Sequence, residues 1–265
     1  MTRLSISQAW LETLAFVNTE RRLLTPLVLA TIALPSAVLE LIAPPAKAGS
    51  KTGVALLPEP GMWMFPGLIL LVVILVGELA LSRLALGWRG DLKGALLHAL
   101  RRIVPLLGAN LLFAVALSVP FLLLVTLAAA IAATNAGLGL IAAIVVGLPL
   151  LILLIRAAFA LPTAAAEAGG PWPVLRRSFT VTQGESMRLL GFVLLFAAAA
   201  LVAAGAISAI VGALLVVVLG APEPWTVSAA LIALVGGLVQ GAIALIWVTM
   251  LSRCYAQLAA SQATA

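Results

Sequence analysis

At 265 residues, 64% hydrophobic and only 9% charged, with a mean hydropathy of +1.24, the chain cannot keep a soluble surface wet; a soluble domain needs roughly a quarter of its residues charged. Its long apolar runs exclude a β-barrel, whose strands alternate lipid-facing and lumen-facing residues over about ten positions. The net charge of +6 and pI near 10.7 do not point to nucleic acid, because the basic residues sit singly or in pairs at the ends of apolar runs.

The single Cys254 excludes an internal disulfide. Glu12 and Glu20 interrupt the region where a signal-peptide core would lie, so Met1 to Ala265 is expected to be the mature chain.

About 20 helical residues cross the hydrocarbon of a bilayer. The first stretch that meets this length is Leu23–Ile42, and the second is Met62–Leu86. Ile103–Ile155 holds no charged residue and is long enough for two spans, turning at Ala133-Thr134-Asn135-Ala136-Gly137. The fifth, Leu189–Leu219, is ended by Gly220-Ala221-Pro222-Glu223-Pro224, and the sixth is Val227–Leu251. With the N-terminus inside, 13 of the basic residues fall on the cytoplasmic side and only Lys47 and Lys51 opposite. That asymmetry predicts an all-α bacterial inner-membrane protein with six spans and both termini cytoplasmic.

The whole chain, 1–265, reads as one membrane domain built from three approximate repeats, 1–87, 88–165 and 166–265. Each repeat is a cytoplasmic amphipathic helix, a span out, a turn and a span back. The first amphipathic helix, Ser5–Val17, opens on a capping box, Ser5-Ile6-Ser7-Gln8, with Ile6, Trp10, Leu14 and Val17 on one face. The second starts after Asp91, with Leu92, Leu96, Leu100 and Ile103 on one face and His98, Arg101 and Arg102 on another. The third runs from Pro171 and Pro173 to Gly184. Each even span closes on one arginine: Arg83, Arg156 or Arg253.

Catalytic signatures are missing. One histidine, His98, forms no HExxH site, and no G-x-S-x-G elbow occurs. Gly49-Ser50-Lys51-Thr52 lacks the earlier glycine and the Gly-Lys pair of a phosphate loop. No enzyme activity, cofactor or metal is expected.

Glu78 lies deep in the second span, where a carboxylate is costly and should face the protein interior. It reads as a structural ion pair with Arg83 or Arg156; the alternative is a proton or cation site. Arg83, Arg156 and Arg253 have two readings: snorkelling to the interface, or convergence on an anionic headgroup, which Arg101, Arg102, Arg176 and Arg177 would extend. Pro35, Pro120 and Pro149 should kink their spans, and Gly237 and Gly241 suggest close helix packing.

The stretch Glu167–Leu190, with its core Val174-Leu175-Arg176-Arg177-Ser178-Phe179-Thr180-Val181-Thr182-Gln183-Gly184, resembles the cytoplasmic linker of six-span bacterial membrane domains associated with glycerophosphoryl diester phosphodiesterases. In that family the active site belongs to a separate soluble domain, so the resemblance implies the membrane layout and no catalytic residue. The expected role is a non-catalytic protein that organises lipid or envelope components through its arginine-rich surface, with anionic phospholipid as partner. The alternative is a small permease or channel with a site near Glu78 and kinked spans. An intramembrane enzyme is the least supported.

Overall fold

The computed structural model describes residues 5–43, 61–223 and 225–263. Arg3, Lys47, Lys51, the Gly49–Thr52 stretch and Pro224 lie outside these residues. Helix α1 (Ile6–Val28) runs through a π turn (Leu29–Ala33) into α2 (Leu34–Ile42). There follow α3 (Met64–Ala85), α4 (Leu92–Thr134), α5 (Ala136–Ala158), α6 (Ala160–Ala166), α7 (Pro171–Val181), α8 (Ser186–Leu219) and α9 (Val227–Ala263). No strand occurs among the described residues. Six stretches are long and apolar enough to cross a membrane: Ile6–Ile42, Met64–Ala85, Leu92–Thr134, Gly137–Ala166, Ser186–Leu219 and Val227–Gln262. By helix length and composition the chain is an all-α, multi-pass membrane protein.

Caps set several helix starts. The Ser5 hydroxyl accepts from Gln8 N at 3.3 Å, and Asp91 Oδ1 accepts from Gly94 N at 3.1 Å. The reciprocal half of the expected capping box is not made, because Ser5 N donates to Gln257 Oε1 instead of to Gln8. Asn135 makes the turn between α4 and α5, its side-chain oxygen accepting from Gly137 N and Leu138 N.

Two of the three expected surface helices do not stand apart from their spans. Ser5–Val17 and the segment after Asp91 continue as α1 and α4, because nothing between them and the apolar run interrupts the hydrogen-bond ladder and arginine is a good helix former. Helix α4 has 43 residues, about 65 Å at 1.5 Å per residue, which exceeds a bilayer. Only α7 is separate, bounded by Gly170 and by Gly184, whose φ of 87° a side chain would resist. The faces also differ from the expected ones. In α4 the packed side carries Ala95, Ala99, Ile103 and Leu106, while Leu100 is exposed. In α1 Ala9 and Thr13 are buried, and Trp10 and Leu14 face outward.

The start of α1 meets the last part of α9. Ser5 N donates to Gln257 Oε1 at 3.2 Å, and Thr13 Oγ1 lies 3.6 Å from Met250 Sδ. We call this end of the bundle the base. Helix α9 is the hub, packing on α1, α2, α3 and α8. It fits because Gly237 lies against the Ala33 carbonyl and Ala37, and Gly241 against Val28 and Ala33. The π turn is how the first span accommodates Pro35: the Leu34 amide bonds Leu29 O, five residues back, just before the residue that has no amide. Helices α4 and α5 continue as α-helix through Pro120 and Pro149. Within α4 and α8 the buried residues, Ala95 to Ala109 and Leu189 to Phe192, lie near the base; farther along, Leu201 and Val217 are 75% and 84% exposed.

Candidate functional site

The arginines divide sharply by what they touch. Helix α6 ends inside the base, and its last carbonyls have no helical partner. Arg102 meets three of the carbonyls there: Nε donates to Ala164 O at 2.9 Å, Nη1 to Gly169 O at 2.9 Å, and Nη2 to Glu167 O. Arg83 Nη1 reaches Ala165 O at 3.0 Å, and His98 Nε2 lies 3.2 Å from the same oxygen. Cationic side chains at a helix C-terminus also complement its dipole. Arg83 and Arg102 are therefore structural.

Helix α7 is fastened to its neighbours by the motif residues. Val174, Leu175, Ser178 and Val181 are buried. The Ser178 hydroxyl donates to Arg156 O, and Arg156 answers with Nε to Thr182 Oγ1 at 3.1 Å and Nη2 to Phe179 O at 2.6 Å. Glu167 Oε1 accepts from Arg177 Nε at 2.9 Å and from the hydroxyl of Tyr255 at 2.6 Å. That bond to Glu167 holds the Arg177 guanidinium above its ordinary range. Arg177 Nη1 also donates to Gln262. This Glu167–Arg177–Tyr255–Gln262 cluster ties α7 to α9, and sequence reading missed it because its members are up to 95 positions apart in the 265-residue chain.

The three arginines that close the even spans meet different neighbours. Arg83 stacks over Trp88 at 4.9 Å, Arg156 over Phe179 at 5.1 Å and Arg253 over Phe16 at 5.3 Å. Arg156 faces a groove between α4, α5 and α7, whereas Arg253 faces α1 and the α3–α4 loop. Arg101 and Arg176 are exposed, and among the described residues neither side chain has a partner.

That groove is a cavity of about 570 Å³. Its walls are Phe113, Leu117 and Pro120 of α4, Leu153 of α5, and Leu175 and Phe179 of α7. Arg156, Arg176, Trp172 and Gln183 line it as well. It is an apolar slot bordered by guanidinium groups and by an indole that is 64% exposed. An acyl chain with an anionic end matches that division of chemistry.

The expected pair of Glu78 with Arg83 or Arg156 is absent, since both arginines are committed elsewhere. Glu78 instead lines a cavity of about 510 Å³ between α2, α3 and α9, together with Glu40, Ser36 and Gln240. Gly236 leaves the room that the Glu40 carboxylate fills. Glu40 and Gln240 were not singled out from the sequence: one sits near the end of a span, the other is neutral, and they meet Glu78 only through packing.

Substitution separates these roles. Arg102→Gln strands the carbonyls of the α6–α7 connection and should cost on the order of 3 kcal/mol, a clear loss in detergent melting temperature. Glu78→Gln removes a carboxylate that has no ion-pair partner among the described residues and should leave that temperature unchanged or raise it. A drop for Glu78→Gln comparable to that for Arg102→Gln would restore an ion pair to Glu78.

Compared with known proteins, the chain matches no family model, no curated protein and no solved structure.

Proposed function

We propose that this is a non-catalytic protein of a bacterial inner membrane that holds anionic phospholipid at its arginine-rich base, with that base in the cytoplasm. The observation that carries the reading is the α4–α5–α7 groove, where Arg176, exposed and unpaired among the described residues, borders an apolar cavity of about 570 Å³. Arg101, likewise exposed and unpaired, would add attraction at the headgroup plane. The resemblance of Glu167–Leu190 to linkers of phosphodiesterase-associated membrane domains fits this role, because it concerns the segment that floors the groove.

The three-repeat organisation is part of the proposal, and the cation–π stacks support it. Each closing arginine stacks on an aromatic of the following unit: Arg83 on Trp88, Arg156 on Phe179, and Arg253 back onto Phe16 of the first. A cyclic three-unit ring would make contacts of this kind.

A second reading, a permease or channel centred on Glu78, is favoured by one observation: Glu40 and Gln240 line the same cavity as Glu78, so a lone carboxylate acquires company. It ranks second because the residues of this cavity are not among those lining the cavities described at the base.

For orientation, reporter fusions after Gln262 and at Arg89 should both read cytoplasmic and one at Glu223 periplasmic. A periplasmic C-terminus would remove the proposed topology.

For lipid binding, Arg101→Gln with Arg176→Gln should lower co-purified phosphatidylglycerol and cardiolipin in native mass spectrometry. Each arginine contributes about 1 kcal/mol, a roughly fivefold loss per site. Leu117→Trp, which fills the slot, should do the same while all arginines remain. An unchanged lipid complement in both variants sinks the proposal.

For the second reading, proteoliposomes under a potassium-diffusion potential should show proton or cation flux that Glu78→Gln abolishes. The absence of any such flux in the parent protein removes it.

A further inference from the structure

Beside the α1 helix, at the base and away from the lipid groove, lies a cavity of about 460 Å³. Arg253 of α9, Arg89 of the α3–α4 loop and Glu20 of α1 line it, with Phe16 and Trp88 as aromatic walls. Among the described residues none of these three charged side chains makes a hydrogen bond or an ion pair. Arg253 lines both this cavity and a smaller neighbour of about 330 Å³; its Nε is turned into the protein, so its terminal nitrogens are the ones a ligand can reach. Glu12, which also borders the smaller cavity, is occupied by Gln8 Nε2 at 2.9 Å.

We infer that this cavity binds a zwitterion carrying a phosphate and a primary ammonium, the chemistry of an aminophospholipid headgroup. The charge count decides the class. Two guanidiniums repel a simple cation, and the Glu20 carboxylate on the same wall disfavours a bare phosphate. A ligand with a phosphate for Arg253 and Arg89 and an ammonium for Glu20 leaves no charge unanswered. The primary ammonium matters, because its N–H groups can donate to Glu20 and a quaternary ammonium has none. Leu23 and Leu84 form the apolar side of the cavity, where the glyceryl end of a lipid would lie. The loop that carries Arg89 is set by Gly87, whose φ of 95° a side chain would resist, and by the Asp91 cap of α4. The inference goes beyond the groove reading and uses none of its residues.

The test is native mass spectrometry of the full chain in nanodiscs of phosphatidylethanolamine, phosphatidylcholine or phosphatidylglycerol, with soluble phosphoethanolamine as a separate titrant. The parent protein should retain phosphatidylethanolamine over phosphatidylcholine by about tenfold, the value of one charge-assisted hydrogen bond. Glu20→Gln should erase that preference and raise phosphatidylglycerol retention, and Arg89→Gln should weaken retention of both. Unfolding cannot produce an exchange of preference, and Leu117→Trp should leave it intact, which separates this site from the lipid groove. Displacement by phosphoethanolamine at comparable concentration would assign the site to a soluble phosphate ester of the same chemistry. Retention that does not discriminate among the three lipids, or a preference that survives both Glu20→Gln and Arg89→Gln, overturns the inference.

Discussion

A backbone carbonyl that leaves a helix near hydrocarbon must find a donor, and the arrangement of the base follows from how this is done at the end of α6. The chain breaks there between two helices, where Ala164 and Ala165 are shut off from solvent. Arg102, Arg83 and His98 reach across from α4 and α3 to supply the donors. This fixes where Glu167 lies. Glu167 in turn holds Arg177 and Tyr255, so the direction of α7 is set and α9 is tied to it. Once α7 is placed, Ser178 and Thr182 engage Arg156, and the groove above them acquires its floor. The basic residues near the base thus serve two unlike purposes. Some replace water for stranded carbonyls, and others remain free to meet whatever lies outside.

Sequence and structure part company where that distinction is concerned. Hydropathy located the six apolar stretches, since lipid imposes a minimum length on every crossing segment, but their helices run on from Leu23 back to Ile6, from Ile103 back to Leu92 and from Leu251 to Gln262. It could not say which arginines are free. Arg101 and Arg102 are adjacent and look alike in sequence, yet one is exposed and the other is spent on carbonyls more than sixty positions away. Depth alone also misled for Glu78. Arg83 is five residues on, about 140° around the helix from Glu78, so the two side chains leave on different sides. The apolar stripe assigned to the start of α4 was displaced because alanine permits the closer approach that α3 and α6 require, and leucine at the same place would hold them off. The motif of α7 was legible as a pattern, and only packing explains it: its apolar members face inward, Ser178 and Thr182 bind Arg156, and Gly184 turns the chain.

The bundle is unevenly built. Helices α1, α2, α3 and α9 pack against one another, whereas α4 and α8 bury side chains chiefly near the base. Far from the base many of their leucines and valines are exposed on the protein surface, and lipid is the solvent that suits them. The tight half supplies a rigid frame that also holds the cavities at Arg253 and at Glu78, and the loosely packed α4 borders the groove that carries Arg176.

The π turn at Leu29–Ala33 has a consequence for how this chain tolerates change in length. One extra residue is folded into that turn, and the helix on either side keeps ordinary α geometry. Deleting a single residue there would restore a regular helix and leave α2 facing its present way, because five residues of π turn and four of α-helix both cover a little over one full turn. The same deletion in α2, before Glu40, would rotate everything beyond it by about 100° and take Glu40 from its place over Gly236. A single-codon loss is therefore absorbed at the π turn and re-indexes the end of the first span only when it falls in the regular helix.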